Sequence, residues 1–388
     1  MGRRRTGGLY LFVALLLVVA GWAAASATGG LERLKDRLFP SLRPRMTLSS
    51  GDFPAGVTAP GEDVASLPLR PTVIGFVPRG SAAGLLLAAG STGPEARPGI
   101  LKTGYALDVR AVPFLREEEL VAALAAGGDR GGVDLAALPV DRLAAWTPAL
   151  RNAAPRVEML LGRSRGQDAL AAVGVASLAG LKGRRLATAP QSAGHYFALW
   201  LLMRSGLGPA DVRWVALGSA FDAGRALREG RADAVVGMSA DVEAAARERG
   251  GQVLATTADA PHLISTVLVA RGEFAARYPD AVRRIVRGLL DAAASVLRDP
   301  GPGARLLGEA APQLGDPGEA LRTSPPATLK ENLAFFGLAG GAPVTYDELY
   351  QSAVQLVSKL ERRTEPVRTA EETRDLSALR GTAEARGP

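Results

Sequence analysis

The 388-residue sequence predicts an α/β protein of two lobes, each a parallel-rich sheet flanked by helices, with a ligand cleft between the lobes. Three observations lead there. Short β-like runs alternate with helical ones through the middle of the chain, which is the order of parallel strands joined by right-handed crossovers. A strand–turn–helix unit recurs after roughly 100 residues, a spacing that fits two similar lobes better than one long sheet. Hydrophobic residues make up 47% of the chain against 22% charged, too apolar for a disordered chain, and the length suits two to three domain-sized units.

The elements follow in order. Arg3, Arg4 and Arg5 precede an apolar run of 19 residues from Leu9 to Ala27. A translocon reads that order as an export signal. Ala25-Ser26-Ala27 offers a cleavage site, yet the run would span about 28 Å as a helix, close to the hydrocarbon thickness. Residues 1–27 are thus a cleaved signal peptide or a signal-anchor helix, and either places residue 28 onward outside the cytoplasm, soluble in the periplasm or tethered to the inner membrane. Residues 28–71 are rich in Pro and Gly without a sustained period, which reads as a linker. Residues 366–388 are polar with mixed charges, a solvated end or an extended strap.

Between those ends, residues 73–77 form a compact apolar strand ending in Pro78-Arg79-Gly80-Ser81, and 107–112 form a second. Residues 117–126 read as a helix through Leu120, Val121 and Leu124, stopped by Gly127-Gly128. A strand at 133–138 ends at Pro139, and 157–161 is strand-like. The strand at 185–189 leads through Pro190 and Gly194 into a helix at 195–204. A helix at 222–229, a stop at Gly230 and a strand at 232–237 repeat the unit. Val282, Ile285, Val286, Leu289, Leu290, Ala293, Val296 and Leu297 make a helical stripe that reads as core packing.

Composition excludes much chemistry. There is no cysteine, so there is no disulfide, zinc-thiolate site, thiol nucleophile or lipid on an N-terminal cysteine. Two histidines, His195 and His262, argue against a multi-histidine metal site, and no metal or cofactor is expected. The 46 basic residues against 39 acidic ones give +7, and cleavage of the signal would leave +7 − 3 = +4. They are scattered, without the aromatic-interleaved stripe of a nucleic-acid surface.

Ligands in parallel α/β sheets sit beyond the carboxyl ends of strands. Here those ends are residues 78–83, 138–141, 190–195 and 238–241. The sharpest is Gln191-Ser192-Ala193-Gly194-His195-Tyr196, where free N–H groups and the positive end of a helix would seat an oxyanion. Ser192 would donate a hydroxyl, His195 an imidazole N–H, and Tyr196 a ring wall. Alternatively Ser192 caps the helix and Tyr196 is core, and Asp222, which opens another helix, carries the same pair of readings.

The run LKGRRLATAPQSAGHYFALWLLMRSGLGPADVRWVAL, then LREGRADAVVG, together with IGFVPRG, GGVDLAALPVD, GRSRGQDAL, ISTVLVARGEFAARYPDAVRRIVRGLL and TLKENLAFFGL, resembles the soluble substrate-binding proteins of ABC importers for nitrate, taurine, aliphatic sulfonates and thiamine pyrimidine precursors. The resemblance covers residues 72–367. It implies a type II-like periplasmic-binding-protein fold with lobe 1 at 72–161 plus 264–365 and lobe 2 at 162–263. It implies ligand contacts from Arg79, Gly80, Ser81, Leu138, Pro139, Ser192, His195, Tyr196, Asp222, Met238 and Asp241, beside Gln191 in the same loop. Two departures alter the ligand wall. Met238-Ser239-Ala240 stands where the family usually has an aromatic followed by Glu-Pro, and the first loop lacks its frequent aromatic. The cysteine-rich motif of the related eukaryotic pyrimidine synthase has no counterpart.

The implied function is a monomeric, non-enzymatic solute-binding protein that captures a small anionic solute and delivers it to an ABC permease. The alternative is a membrane-tethered sensor or interaction protein that keeps the fold without transport. A third reading comes from Gly162-Arg163-Ser164-Arg165-Gly166, which matches the G-x-S-x-G pattern of serine hydrolases with His262 or His195 as the base. The family instead places a similar Ser-x-Gly-x-Asp segment where the chain crosses between lobes.

Overall fold

The computed structural model describes residues 67–91, 97–361 and 368–386. The expected signal or anchor helix, and the expected linker up to residue 66, lie outside the described residues.

The strands among the described residues are β1 (Thr72–Phe76), β2 (Val109–Pro113), β3 (Leu135–Pro139), β4 (Arg156–Arg163), β5 (Asp168–Ala172), β6 (Arg185–Thr188), β7 (Arg213–Ala216), β8 (Ala234–Met238), β9 (Gln252–Thr256) and β10 (Ser265–Ala270). They form two five-stranded sheets, in the orders β2-β1-β3-β10-β4 and β7-β6-β8-β5-β9. In each, two pairings are parallel and two antiparallel, because a single strand, β10 in the first sheet and β5 in the second, runs against the other four. The sequence reading of parallel crossovers thus holds for β1, β2 and β3 and for β6, β7 and β8. The antiparallel pairs have a physical cause. Strands β5 and β10 each arrive from the opposite sheet without a crossover helix, and a parallel partner would need a connection of about a dozen residues or more.

The helices that frame the sheets and their connections are α1 (Ala82–Ala89), α2 (Glu117–Ala126), α3 (Val140–Trp146), α4 (Ala193–Arg204), α5 (Ala223–Arg228), α6 (Ser239–Glu248), α7 (Pro279–Arg298), α8 (Pro317–Thr323), α9 (Leu329–Phe335), α10 (Tyr346–Glu361) and α11 (Ser377–Arg386). Helix α2 carries Glu117, Glu118 and Glu119 in its first turn, where the positive helix end favours them, and stops at Gly127 with φ +86°. Helix α7 starts with Pro279 at its first position and buries the expected stripe, except Leu297, which is 45% exposed.

Strands β1, β3, β5, β8 and β10 are buried along their whole length, as strands covered by helices on both faces must be. The edges β7 and β9 are half-exposed. The polar C-terminal segment is not a solvated end. Its Asp375 N–H donates to the Val157 carbonyl at 2.9 Å, and α11 packs on α7 with Leu379 buried. The apolar positions Leu376, Ala378 and Leu379, spaced for a helix, account for that docking. Among the described residues no helix is long and apolar enough to cross a membrane.

Candidate functional site

Strands end where their apolar runs end, so the turns after β1, β3, β6 and β8 hold the small and polar residues. The carboxyl edges of the two sheets meet there. Arg79, in the turn after β1, forks onto Asp168, the first residue of β5: Nη1 to Oδ2 at 2.8 Å and Nη2 to Oδ1 at 3.2 Å. The residues are 4% and 2% exposed, so this is a buried, bidentate pair between elements of the two sheets. A second link joins α2 and α4, where the Ala193 N–H donates to Glu117 Oε1 at 3.4 Å. The third joins α3 and α4, with the Arg142 guanidinium 5.9 Å from the centre of the Tyr196 ring. Arg142 is itself paired to Asp141 at 2.5 Å, both buried.

The two crossings between sheets, 164–167 and 257–264, are tied to this network. Ser164 Oγ donates to Asp168 Oδ2 at 2.6 Å and lies 2.6 Å from Thr257 Oγ1, which also accepts the Gly166 N–H at 3.0 Å. A nucleophile elbow at Ser164 is therefore not formed. The motif runs from strand β4 into strand β5, not into a helix, and its hydroxyl is committed inside the crossing.

The electrostatics follow from burial. Desolvation raises the Glu117 and Asp141 carboxyls above their ordinary range, with Arg79 and Arg142 pulling the other way. Burial also opposes the Arg79 charge, but Asp168, Glu117 and Asp141 outweigh it. His195 is lowered to about 4 by burial and by Arg142, so its ring is neutral at pH 7. Its Nδ1 accepts the Gln191 N–H at 3.3 Å, which assigns the ring proton to Nε2. The His195 edge meets Trp214 at 5.1 Å.

The structure brings Arg79, Ser192, His195 and Tyr196 to this junction, with Met238 opposite Asp168 in the β5–β8 register. Gly80 and Ser81 lie against other backbone: a Cβ at Gly80 would sit inside the Ala320 carbonyl of α8, and Ser81 packs against Gly162. Leu138 and Pro139 are buried at the end of β3. Ser192 caps α4, its Oγ accepting the His195 N–H at 3.1 Å and donating to the Ala189 carbonyl at 2.7 Å, and Gln191 holds φ +56° to make that turn. Asp222 accepts the Ser219 N–H at 2.9 Å, and Asp241 accepts the Gly224 N–H at 3.1 Å and the Arg228 guanidinium at 2.8 Å. Both carboxylates thus serve the start of α5 and its tie to α6.

Sequence reasoning missed Glu117, Asp168 and Arg142 as site residues. A signal existed for Asp168: an arginine at a strand end that becomes buried requires a buried carboxylate. Arg79, Asp168, Glu117, Asp141, Arg142 and Tyr196 are all buried at this junction, and open space borders it. A cavity of about 210 Å³ is bounded by Glu117, Pro190, Leu217 and Ser219, and another of about 430 Å³ by Tyr196, Trp200, His262 and α10.

Residues 167–302 match the "NMT1/THI5 like" family model. No sequence among curated proteins matches the chain. Several solved structures share the fold. The alkanesulfonate-binding protein SsuA of Xanthomonas axonopodis pv. citri, bound to MOPS, superposes with a TM-score of 0.60 at 18% identity, covering 80% of this chain and 99% of that one. The periplasmic nitrate-binding protein NrtA of Synechocystis PCC 6803 gives 0.57 at 13% identity, covering 81% and 88%. The desulfurization enzyme DSZB gives 0.55 at 14% identity, covering 81% and 100%. The chain therefore has the periplasmic-binding-protein fold, and the resemblance read from its sequence is borne out by the family match and these neighbours.

Proposed function

We propose that this chain is an extracytoplasmic solute-binding protein that captures a small anionic solute, of the sulfonate, nitrate or taurine kind, and delivers it to an ABC permease. One observation carries the reading: the carboxyl edges of the two sheets face each other and are bridged by donor-bearing side chains, Arg79 above all. In this reading residues 72–161 with 264–365 form one lobe and 162–263 the other, in a monomer. Opening is a hinge motion at the two crossings. Binding is non-covalent. Guanidinium and N–H donors hold the anion, and closure excludes water so that those bonds act at a lower effective dielectric. SsuA and NrtA, whose names state sulfonate and nitrate binding, support the ligand class, while DSZB shows that the fold alone does not decide between binding and catalysis.

Calorimetric titration of the full chain against nitrate, taurine, alkanesulfonates, phosphate and pyrimidines tests this reading. It expects saturable binding of one anion class, weakened at least tenfold in Arg142→Met and His195→Ala. Binding of none of these solutes, or affinity unchanged in both variants, contradicts it.

A further inference from the structure

The two places best suited to an anion are already taken by the protein's own carboxylates. A guanidinium fork suits an oxyanion with two oxygens in its plane, and on Arg79 those oxygens belong to Asp168. The start of a twelve-residue helix suits an anion as well, and at Ala193 that charge belongs to Glu117, which reaches across from the first sheet. These are separate contacts, 89 and 76 residues apart in sequence, and both join the two sheets.

The count of buried charges gives the consequence. Arg79 and Arg142 face Glu117, Asp141 and Asp168, two cations against three carboxyls. Adding an anion to that set would place a further negative charge among carboxyls already held away from water, which is costly. Exchanging an anion for one of the carboxylates leaves the charge unchanged. The closed network is also incompletely satisfied. Arg79 Nε, Asp141 Oδ1 and both polar atoms of the Gln167 side chain have no hydrogen-bond partner among the described residues, and the three residues are 4%, 0% and 4% exposed. These unsatisfied groups disfavour the closed network, and the donors among them, Arg79 Nε and Gln167 Nε2, are available to an incoming oxyanion.

We infer that Asp168 and Glu117 are specificity-determining residues that act as an internal surrogate for the ligand's anionic group. They hold the gap shut in the absence of solute, and they set affinity because an oxyanion enters only by displacing them. The inference rests on the solute-binding reading for the identity of the competitor, but the latch itself does not.

The chain has no cysteine, so labels can be placed at will. Spin labels at Arg110→Cys on β2 and Arg247→Cys on α6, both exposed, measure the separation of the two sheets in the full chain. Methanesulfonate and nitrate serve as probes. Without a probe, the parent chain should give one short distance, and Asp168→Asn and Glu117→Gln should each lengthen it. Both variants should bind a probe at least tenfold more tightly than the parent. Glu117→Gln leaves the Arg79–Asp168 pair intact, so it decides the matter should Asp168→Asn fail to fold. Unchanged distances in the variants, or a parent chain already open, overturn the inference. Lengthened distances with no probe bound by any form uphold the latch and overturn the anionic-solute reading instead.

Discussion

Two segments of this chain follow the same plan and reach different ends. After β1 the chain runs Val77-Pro78-Arg79-Gly80-Ser81 into α1, and after β6 it runs Ala189-Pro190-Gln191-Ser192 into α4. Ser192 is extended, at φ −94° and ψ 168°, and caps its helix through its side chain. Ser81 is already helical, at φ −61° and ψ −19°, with no side-chain cap. At the position after the proline, Arg79 is buried and paired, whereas Gln191 is exposed in a left-handed turn. Helix α1 is apolar on all sides and sits against α7, so its loop is pressed under α8. Helix α4 has one face in solvent, with Met203 46% exposed, and its loop exposes Pro190 and Gln191. One topology thus yields a clamped edge and an accessible edge, a pairing suited to a gap that one side anchors and the other side opens.

Substitutions at matched positions measure that asymmetry. Arg79→Met leaves the Asp168 carboxylate buried without its cation and should cost about 3–5 kcal/mol in urea unfolding. Gln191→Asn, which tolerates the left-handed turn, should stay within about 0.5 kcal/mol. Equal losses at the two sites would erase the contrast.

The second effect belongs to the open edge and depends on pH. His195 has a folded pKa of about 4, below its unfolded value. Between the two values the unfolded chain binds the extra proton, so stability falls as pH drops from 6.5 toward 4 and this contribution vanishes above that window. The loss amounts to roughly 3 kcal/mol by 1.36 kcal/mol per unit, and His195→Gln should abolish it in melts across that window. An identical acid slope in both proteins would show that the ring is not buried as described.

Glycine substitutions come next. Gly80→Ala forces a methyl into the Ala320 carbonyl and should cost about 1–3 kcal/mol, whereas Gly194→Ala meets Val236 at 3.3 Å and the Ser192 and Thr188 hydroxyls at 3.5 Å, and should change stability by less than about 1 kcal/mol. Smallest is the pair of serines. Ser192→Ala removes a helix cap and should cost about 1 kcal/mol, and Ser81→Ala, with no cap to lose, less than about 0.5 kcal/mol.

Much of the scaffold was legible in the sequence. The apolar runs of β1, β3, β6 and β8 stand out against their flanking Pro, Gly and Asp residues, and the acidic start and glycine stop of α2 give its limits, Glu117–Ala126. Strands β7 and β9, the half-exposed edges of their sheet, were not singled out by the sequence. Strand β5 is mostly alanine, and its neighbours supply the burial that its own side chains do not. In the site, sequence pointed to the loops that the fold gathers at the sheet edges, and to Arg79, Ser192, His195 and Tyr196 within them. It did not reveal Asp168 or Glu117, because their partners are separated from them by most of a sheet. Glu117 in particular reads as an ordinary first-turn acid until the second sheet is brought against it.

Hydrogen exchange of the full chain with and without a saturating sulfonate tests the shared gap most directly, because it reports both edges at once. Residues 78–83 and 138–141 from one sheet should gain protection together with 190–196 and 238–241 from the other. Protection confined to a single sheet, or gained only at sites remote from these four loops, would contradict a ligand held between the two edges.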